Sequence, residues 1–449
     1  MHDATTLFAY LEALRPRQLL GPLEHLWQLG LTRKRSRLWP SLHLESLQPH
    51  HERIHLEGLA KLHMHVVVEG VYDLDWLQTF LHPRALRAVA AIDVSPPSKT
   101  TLAWLEFPSA ADIAISLPDW FDQWSSVFHV TRVDCTAYAS VDDLVDVLPR
   151  LRHLTSLVSP TTLHLLVAVL AFAAHSTTLT SLVLSPNELT SSDLVDDNDA
   201  AILVTTAAVV NATRWLATQP VREFRFHGWP WQHVARSVQE AFLVALFHHP
   251  TLEELDCIGL DLTAAAASVL PPPPTSLCVL DLSRSMFHTS WLTTILAMSP
   301  VHTLVCVGPT LRRDQLEPVL LALASTNVTT LALTRTGLAD QLWQSIFALD
   351  ALCLAPLVHL DLRGNHLTDD AAIRLADVLW RNRTLVSVDL RENAMGRRGA
   401  TALVLAAAAS QENRQAVLML RLECNRLTLD DIASVEELAT QYFVDAVFD

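Results

Sequence analysis

The chain has 449 residues, 80 of them leucine and only 11 glycine, with a formal net charge of -16. Leucine at about 18 % is roughly twice ordinary usage, and glycine falls well under the usual ~7 %; no G-x-G-x-x-G and no Gly-Lys pair occurs, which excludes Walker nucleotide enzymes and Rossmann dehydrogenases, whose phosphate cradles need glycines at fixed spacing. With 18 % charged and 50 % hydrophobic residues the chain can bury a large core, and its acidic balance excludes nonspecific nucleic-acid binding, which needs a positive face.

The opening Met1-His2-Asp3-Ala4 has no basic stretch followed by an apolar core, and so does not read as a secretory signal. The longest apolar run, Leu163 to Ala174, is broken by His164 and is shorter than the ~20 residues of a membrane helix. The expectation is a soluble protein of the cytoplasm or nucleus. Six cysteines without C-x-x-C spacing predict reduced thiols rather than a disulfide frame or a zinc knuckle. No cofactor is expected. Lys34, Lys61 and Lys99 are the only lysines, an imbalance that codon usage explains most simply.

Residues 1–45 read as a short helical cap. They carry Thr6-Leu-Phe-Ala-Tyr-Leu-Glu-Ala-Leu-Arg-Pro16, then Leu23-Glu-His-Leu-Trp27, then a basic stretch from Arg33 to Arg37 and a Leu38-Trp39 pair. Irregular repeats follow over 46–130. Strands are expected at Leu26–Leu31, Leu42–Leu44, Leu62–Met64, Ile92–Val94 and Leu105–Phe107, at uneven spacing. Within this stretch His51-Glu52-Arg53-Ile54-His55 matches the H-E-x-x-H of zinc hydrolases, whose spacing puts two imidazoles on one helix face. Lys61 stands where a metzincin would need a further ligand, and a cation cannot ligate zinc; the motif is expected to be incidental. His63 and His65 flank Met64 and would share one strand face, as a solvated pair rather than a metal clamp.

Regular repeats are expected over 131–449, and the C-terminal third shows them most plainly. Leu357-Val-His-Leu360-Asp-Leu362-Arg-Gly-Asn365, Leu385-Val-Ser-Val388-Asp-Leu390-Arg-Glu-Asn393 and Val417-Leu-Met-Leu420-Arg-Leu422-Glu-Cys-Asn425 all fit L-x-x-L-x-L-x-x-N. The same frame places Thr336, Pro309, Ser285, Leu260, Trp229 and Asn187 at the asparagine position. The successive intervals from 187 to 425 are 42, 31, 25, 24, 27, 29, 28 and 32, so one long interval marks an insertion at about 190–220. That insertion opens with the acidic Ser191 to Asp199 and continues as an Ala/Val-rich helix to about Trp215. Without a central glycine and a distal glutamate the acidic loop does not fit an EF-type calcium site, and helix capping accounts for it better. Pro271 to Pro274 reads as a stiff connector. In a short strand the fourth and sixth positions point inward and their neighbours outward, while segments such as Ala371 to Leu379 carry apolar residues at helical spacing.

These units resemble the ribonuclease-inhibitor class of leucine-rich repeats. The resemblance implies a leucine-rich-repeat solenoid (horseshoe) with a parallel concave sheet and convex helices. Residues 6–47 resemble the latter part of an F-box, which implies docking of a Skp-type adaptor of a cullin ubiquitin ligase, with the repeats holding the substrate.

Cys135, Cys257 and Cys306 occupy the inward sixth position, where cysteine acts as a small hydrophobe. Partner-binding side chains are expected on the outward positions beside it. The residues singled out are Arg225, His227, Ile258, Val305, Val307, Arg363 and Arg391, with Trp229 and Trp231 nearby, because apolar side chains flanked by Trp and Arg are typical interface anchors. The 190–220 insertion is the alternative cover for the same patch. The Asp/Arg, Asp/Arg and Arg/Glu pairs of the last three strands are expected to satisfy one another between adjacent strands. The expected function is a non-catalytic protein–protein interaction solenoid, with substrate recognition in a cullin-type ligase as its sharpest form. A scaffold or inhibitor, or a GTPase activator of the repeat type, is the alternative. Neither nucleic acid nor membrane is an expected partner.

Overall fold

The computed structural model describes residues 4–39, 42–44, 54–55, 65–69, 91–95, 130–134, 141–160, 163–185, 205–229, 231, 233–263, 276–308, 313–338, 345–410 and 418–448. The chain divides into two compact units, 1–196 and 197–449.

The first unit opens with helices α1 (Ala4–Leu14) and α2 (Glu24–Thr32). The strand expected at Leu26–Leu31 is therefore helix. The same L-x-x-L spacing that marks a repeat strand also places Leu26 and Leu29 on one helical face, where both are buried along with Phe8 and Leu11 of α1, while Leu31 is exposed. Strands β1 (Leu42–Leu44), β2 (His65–Glu69), β3 (Ala91–Ser95), β4 (Val130–Asp134), β5 (Ser156–Pro160) and β6 (Ser181–Ser185) then pair in parallel, each with the next. Strands stand where expected at Leu42–Leu44 and Ile92–Val94; Leu62–Met64 and Leu105–Phe107 lie outside the described residues. Helices α3 (Val141–Val147) and α4 (Leu163–His175) precede β5 and β6.

In the second unit strand and helix alternate with near-regular spacing. Helix α5 (Thr206–Thr218) is the Ala/Val-rich segment of the insertion; Thr205 caps it by accepting a bond from Ala208 N at 3.2 Å. Next come β7 (Glu223–His227), α6 (Arg236–Phe247), β8 (Glu254–Ile258), β9 (Val279–Asp281), α7 (Thr289–Met298), β10 (Thr303–Val305), α8 (Arg313–Leu323), β11 (Thr330–Ala332) and α9 (Ile346–Leu354). The unit closes with β12 (His359–Asp361), α10 (Asp369–Arg381), β13 (Ser387–Asp389), α11 (Arg397–Ser410), β14 (Met419–Arg421), α12 (Leu429–Gln441) and β15 (Asp445–Val447). All neighbouring strands from β7 to β15 are parallel.

The inward positions of these strands form the core: Leu360 and Leu362, Val388 and Leu390, Leu420 and Leu422 are all buried, each removal from water being worth about 1.5–3 kcal/mol. The helices meet them with one apolar face, as in α10, where Ala371, Ala372, Leu375, Ala376, Val378 and Leu379 are buried. Asp369 and Asp370 sit in its first turn and Arg381 in its last, each sign matched to the helix dipole. Asp369 also ties α10 to its neighbour, since its Oδ1 accepts from Gly396 N at 2.7 Å and Gly399 N at 2.9 Å. The approach is close enough that a Cβ at 399 would lie 2.7 Å from that oxygen.

Buried hydrogen bonds join repeat to repeat. Asn393 Nδ2 donates to the carbonyls of Leu362 at 3.1 Å and Leu390 at 3.0 Å, and its Oδ1 accepts from the amides of Asn365 and Leu367, both at 3.0 Å. Asn365 does the same one repeat earlier, toward Leu333 O and Thr336 N. Ser285 substitutes for asparagine by donating to Cys257 O and accepting from Leu260 N. On the opposite edge Thr251, Ser276 and Thr384 donate to the carbonyls of Val221, Leu252 and Leu357, each in the preceding repeat. Two residues past each inward sixth position the chain turns through left-handed backbone, at Gly228, Gly259, Arg284, Gly308, Arg335, Gly364, Glu392 and Cys424. Half of these are glycine, which enters that region without steric penalty.

Candidate functional site

The outward face of β7 to β14 carries three kinds of surface. At one end Arg225 lies among carboxylates: its Nε is 2.7 Å from Glu223 and 3.6 Å from Asp256, and its Nη2 bonds Glu254. Arg225 is therefore already engaged within the chain. Asp281 adds a further carboxylate on the adjacent strand, at the register position paired with Asp256. His227 is half-buried beside this group. Burial pushes its imidazole below the ordinary value, Arg225 in the same direction, and Asp281 opposes them.

Asp256, only 9 % exposed, is pushed up to about 6 from its ordinary 3.8. Burial is the main cause; Arg225 opposes it, while Asp281, Glu254 and Glu223 add to it. The folded chain thus binds this proton more tightly than the unfolded chain. The associated stability is present in full below about pH 4 and is lost as pH rises through about 6. Asp256→Asn, which stays neutral, is expected to match the native protein at pH 4 and to exceed it by about 3 kcal/mol at pH 8, read from urea unfolding midpoints. A difference that does not change with pH would show an ordinary carboxylate at 256.

In the middle the surface is apolar. Ile258, Val305, Val307 and Ala332 are half-buried on an otherwise polar face, and Val305 pairs in register with Asp281 on one side and Ala332 on the other. Beyond them β13, β14 and the turns that follow the strands carry paired charge. Arg391 grips Asp389 through Nε at 2.9 Å and Nη2 at 2.5 Å. Arg421 reaches Glu423 at 3.0 Å and Asp389 at 3.9 Å. Arg363 Nε lies 3.4 Å from Glu392, which also holds Arg335 at 2.6 Å. These pairs form both within one repeat, as Arg391–Asp389 and Arg421–Glu423, and between repeats, as Arg421–Asp389, Arg363–Glu392 and Arg335–Glu392; among the described residues Asp361 takes no part in them.

Trp229 and Trp231 are not part of this face. They are 1 % and 4 % exposed and pack with Phe224, Phe226 and Phe242 at ring-centroid distances of 4.5–6.1 Å. The repeat frame accounts for this burial. Trp229 stands at the asparagine position, which faces inward as Asn365 and Asn393 do. Trp231 stands two residues later, at the position of the buried Leu262, Phe287, Leu338, Leu367 and Met395.

The thiols of Cys257 and Cys306 are buried and pushed upward by that burial, which removes them as nucleophiles; Cys135 lies outside the described residues. Of the H-E-x-x-H string, Ile54 and His55 are described. Ile54 is exposed, and His55 Nδ1 lies 3.2 Å from His25 Nδ1. His51, Glu52, Arg53, His63 and the side chain of His65 lie outside the described residues. Among the described residues no group of three or more His, Cys, Asp or Glu side chains is placed to hold a metal ion, and no helix is long and apolar enough to cross a membrane.

The leucine-rich-repeat family matches residues 354–376 and 381–404, the two units with the fullest consensus. The fold is a leucine-rich-repeat solenoid. No curated protein matches the chain. Among solved structures, the yeast Rad7 and Elc1 complex contains a chain similar to this one at 11 % identity, with 95 % of this chain and 94 % of that chain covered and a TM-score of 0.34. Leucine-rich-repeat solenoids of this kind serve typically as binding scaffolds, with the strand face as the contact surface.

Proposed function

We propose that the protein is a non-catalytic protein-interaction solenoid whose partner sits on the outward face of β8 to β11. The observation that carries this reading is the group of half-buried apolar side chains Val305, Val307 and Ala332 on adjacent repeats, with Ile258 beyond Asp281 and Ser283 of the intervening repeat, on a sheet face that is otherwise polar or charged. Apolar surface with a polar rim is what interfaces bury. Repeats near 28 residues with helical returns support the ribonuclease-inhibitor class. A narrower reading is a substrate-recognition subunit of a cullin-type ubiquitin ligase. It is supported by the helical segment α1–α2, followed by the basic Arg33–Arg37 and the Leu38-Trp39 pair just before β1. Without an adaptor, the same face serves a scaffold, an inhibitor or a GTPase activator.

One experiment tests both levels. A photo-crosslinking residue at position 307 is expected to capture a discrete protein that the same residue at the exposed Arg383 does not, and Val305→Asp is expected to abolish capture. Equal capture from both positions, or none from 307, removes the proposed face. A Skp-type adaptor and a cullin in the same purified complexes would support the ligase reading; their absence, with capture at 307 intact, would leave the solenoid as a scaffold or inhibitor.

A further inference from the structure

The inference concerns the chemistry of the partner and rests on the face proposed above. The row Asp281, Val305, Ala332, Asp361 runs straight across four strands, each residue paired in register with the next. The two carboxylates at its ends differ from the other charges of this face. Asp389, Glu423 and Glu392 are all held by arginines, whereas Asp281 and Asp361 have no ion pair among the described residues. Each uses one oxygen to accept a backbone amide two residues on, from Ser283 at 2.8 Å and Arg363 at 2.9 Å; His227 and Arg391 feel the fields of Asp281 and Asp361, but among the described residues no cation contacts either carboxylate. Arg363, the cation nearest Asp361 in sequence, is turned to Glu392. At the other end Glu223, Glu254 and Asp256 outnumber Arg225, so the field around Asp281 is negative.

Spacing converts this row into a recognition pattern. Three strand steps of about 4.8 Å separate the two carboxylates by about 14 Å along the sheet. An extended peptide covers about 14 Å in four residues, with residues i, i+2 and i+4 on one face. We propose that this face takes an extended basic segment of a protein partner lying across the strands, with two cationic side chains four residues apart on Asp281 and Asp361. The apolar side chain between them rests on Val305, Val307 and Ala332. The carboxylates repel a nucleic acid or an acidic peptide, and the apolar middle separates this pattern from simple attraction to a polycation.

The test uses the full chain and a fluorescein-labelled peptide with the core Arg-Ser-Leu-Ser-Arg, read by anisotropy. Binding is expected to weaken as salt rises and to fall several-fold, up to about thirtyfold, in the Asp281→Asn, Asp361→Asn double variant. Asparagine keeps the acceptor for each backbone amide, so the fold is retained. The exposed Asp430→Asn serves as a charge control and is expected to bind as the native chain does. Replacing leucine by serine in the peptide is expected to weaken binding, and replacing both arginines by glutamate to abolish it. Equal binding of the glutamate peptide, undiminished binding by the double variant, or no binding of the arginine peptide would each overturn the proposal. If any of these occurs while position 307 still captures its partner, the face stands and only its preference for a basic segment is lost.

Discussion

Replacing Asn393 by alanine is expected to destabilise the second unit by about 4 kcal/mol, a large effect for one polar side chain. The reason lies in what is left behind. The amides of Asn365 and Leu367 lose their acceptor, and the carbonyls of Leu362 and Leu390 lose a donor. Each buried group left without a partner costs roughly 1–3 kcal/mol, partly relieved by water reaching the edge of the repeat. Hydrogen exchange is the direct measurement, because stability in a solenoid is a sum of local and nearest-neighbour contributions. Protection is expected to collapse first at the amides of 365 and 367 and to persist at the amides of β7 and β8. Asn393→Ser is expected to recover part of the loss, since Ser285 performs the same two roles in its own repeat. Unchanged protection at 365 and 367 would show that the ladder contributes little.

That asparagine was legible in the sequence because the repeat consensus is a record of this hydrogen-bond geometry. The inward leucines were legible for the same reason. What the frame hid is also physical. Strand β5 escaped it because Ser159 holds the inward sixth position where a leucine is expected, and serine is buried there. Helix α2 stands where the frame predicts a strand, because three-residue spacing of leucines serves a helix as well as a repeat strand. The threonine and serine ladder at 251, 276 and 384 carried a signal, a small hydroxyl just before the first inward position, but two of the intervening repeats place proline there.

The candidate site was legible in position but not in state. Outward residues follow from strand alternation, so Arg225, His227, Ile258, Val305, Val307, Arg363 and Arg391 all lie on the open face. Which charges are already spent does not follow from alternation. Arg225 is paired with Glu223 beside it and Glu254 on the next strand, Arg391 with Asp389, and Arg363 is turned to Glu392, whereas Asp281 and Asp361 have no ion pair among the described residues. That distinction depends on side-chain reach and rotamer, which a one-dimensional frame does not carry. It moves the centre of the proposed site away from the arginines and toward the carboxylates and valines of β9 to β12.

Trp229 lies with its ring 4.5 Å from Phe226, 5.7 Å from Phe242 and 6.1 Å from Phe224, in a cluster that also includes Trp215 against Phe224. Trp229→Ala removes a fully buried indole from the place where other repeats keep a hydrogen-bonding asparagine, and is expected to cost about 3–5 kcal/mol. A surface anchor would cost almost nothing there, so unfolding in urea separates a core role from an interface role. Trp229→Phe makes the test sharper. The indole Nε1 is buried without a hydrogen-bond partner among the described residues, and an unmet donor of that kind is itself unfavourable by roughly 1–3 kcal/mol. Phenylalanine keeps most of the ring contacts and removes that donor, so its net cost is expected to stay below about 1.5 kcal/mol. A loss as large as that of the alanine variant would mean that the indole nitrogen is satisfied in solution. Capture at position 307 is expected to survive Trp229→Phe unchanged, because the ring packs on the inner side of β7 and does not reach the proposed binding face.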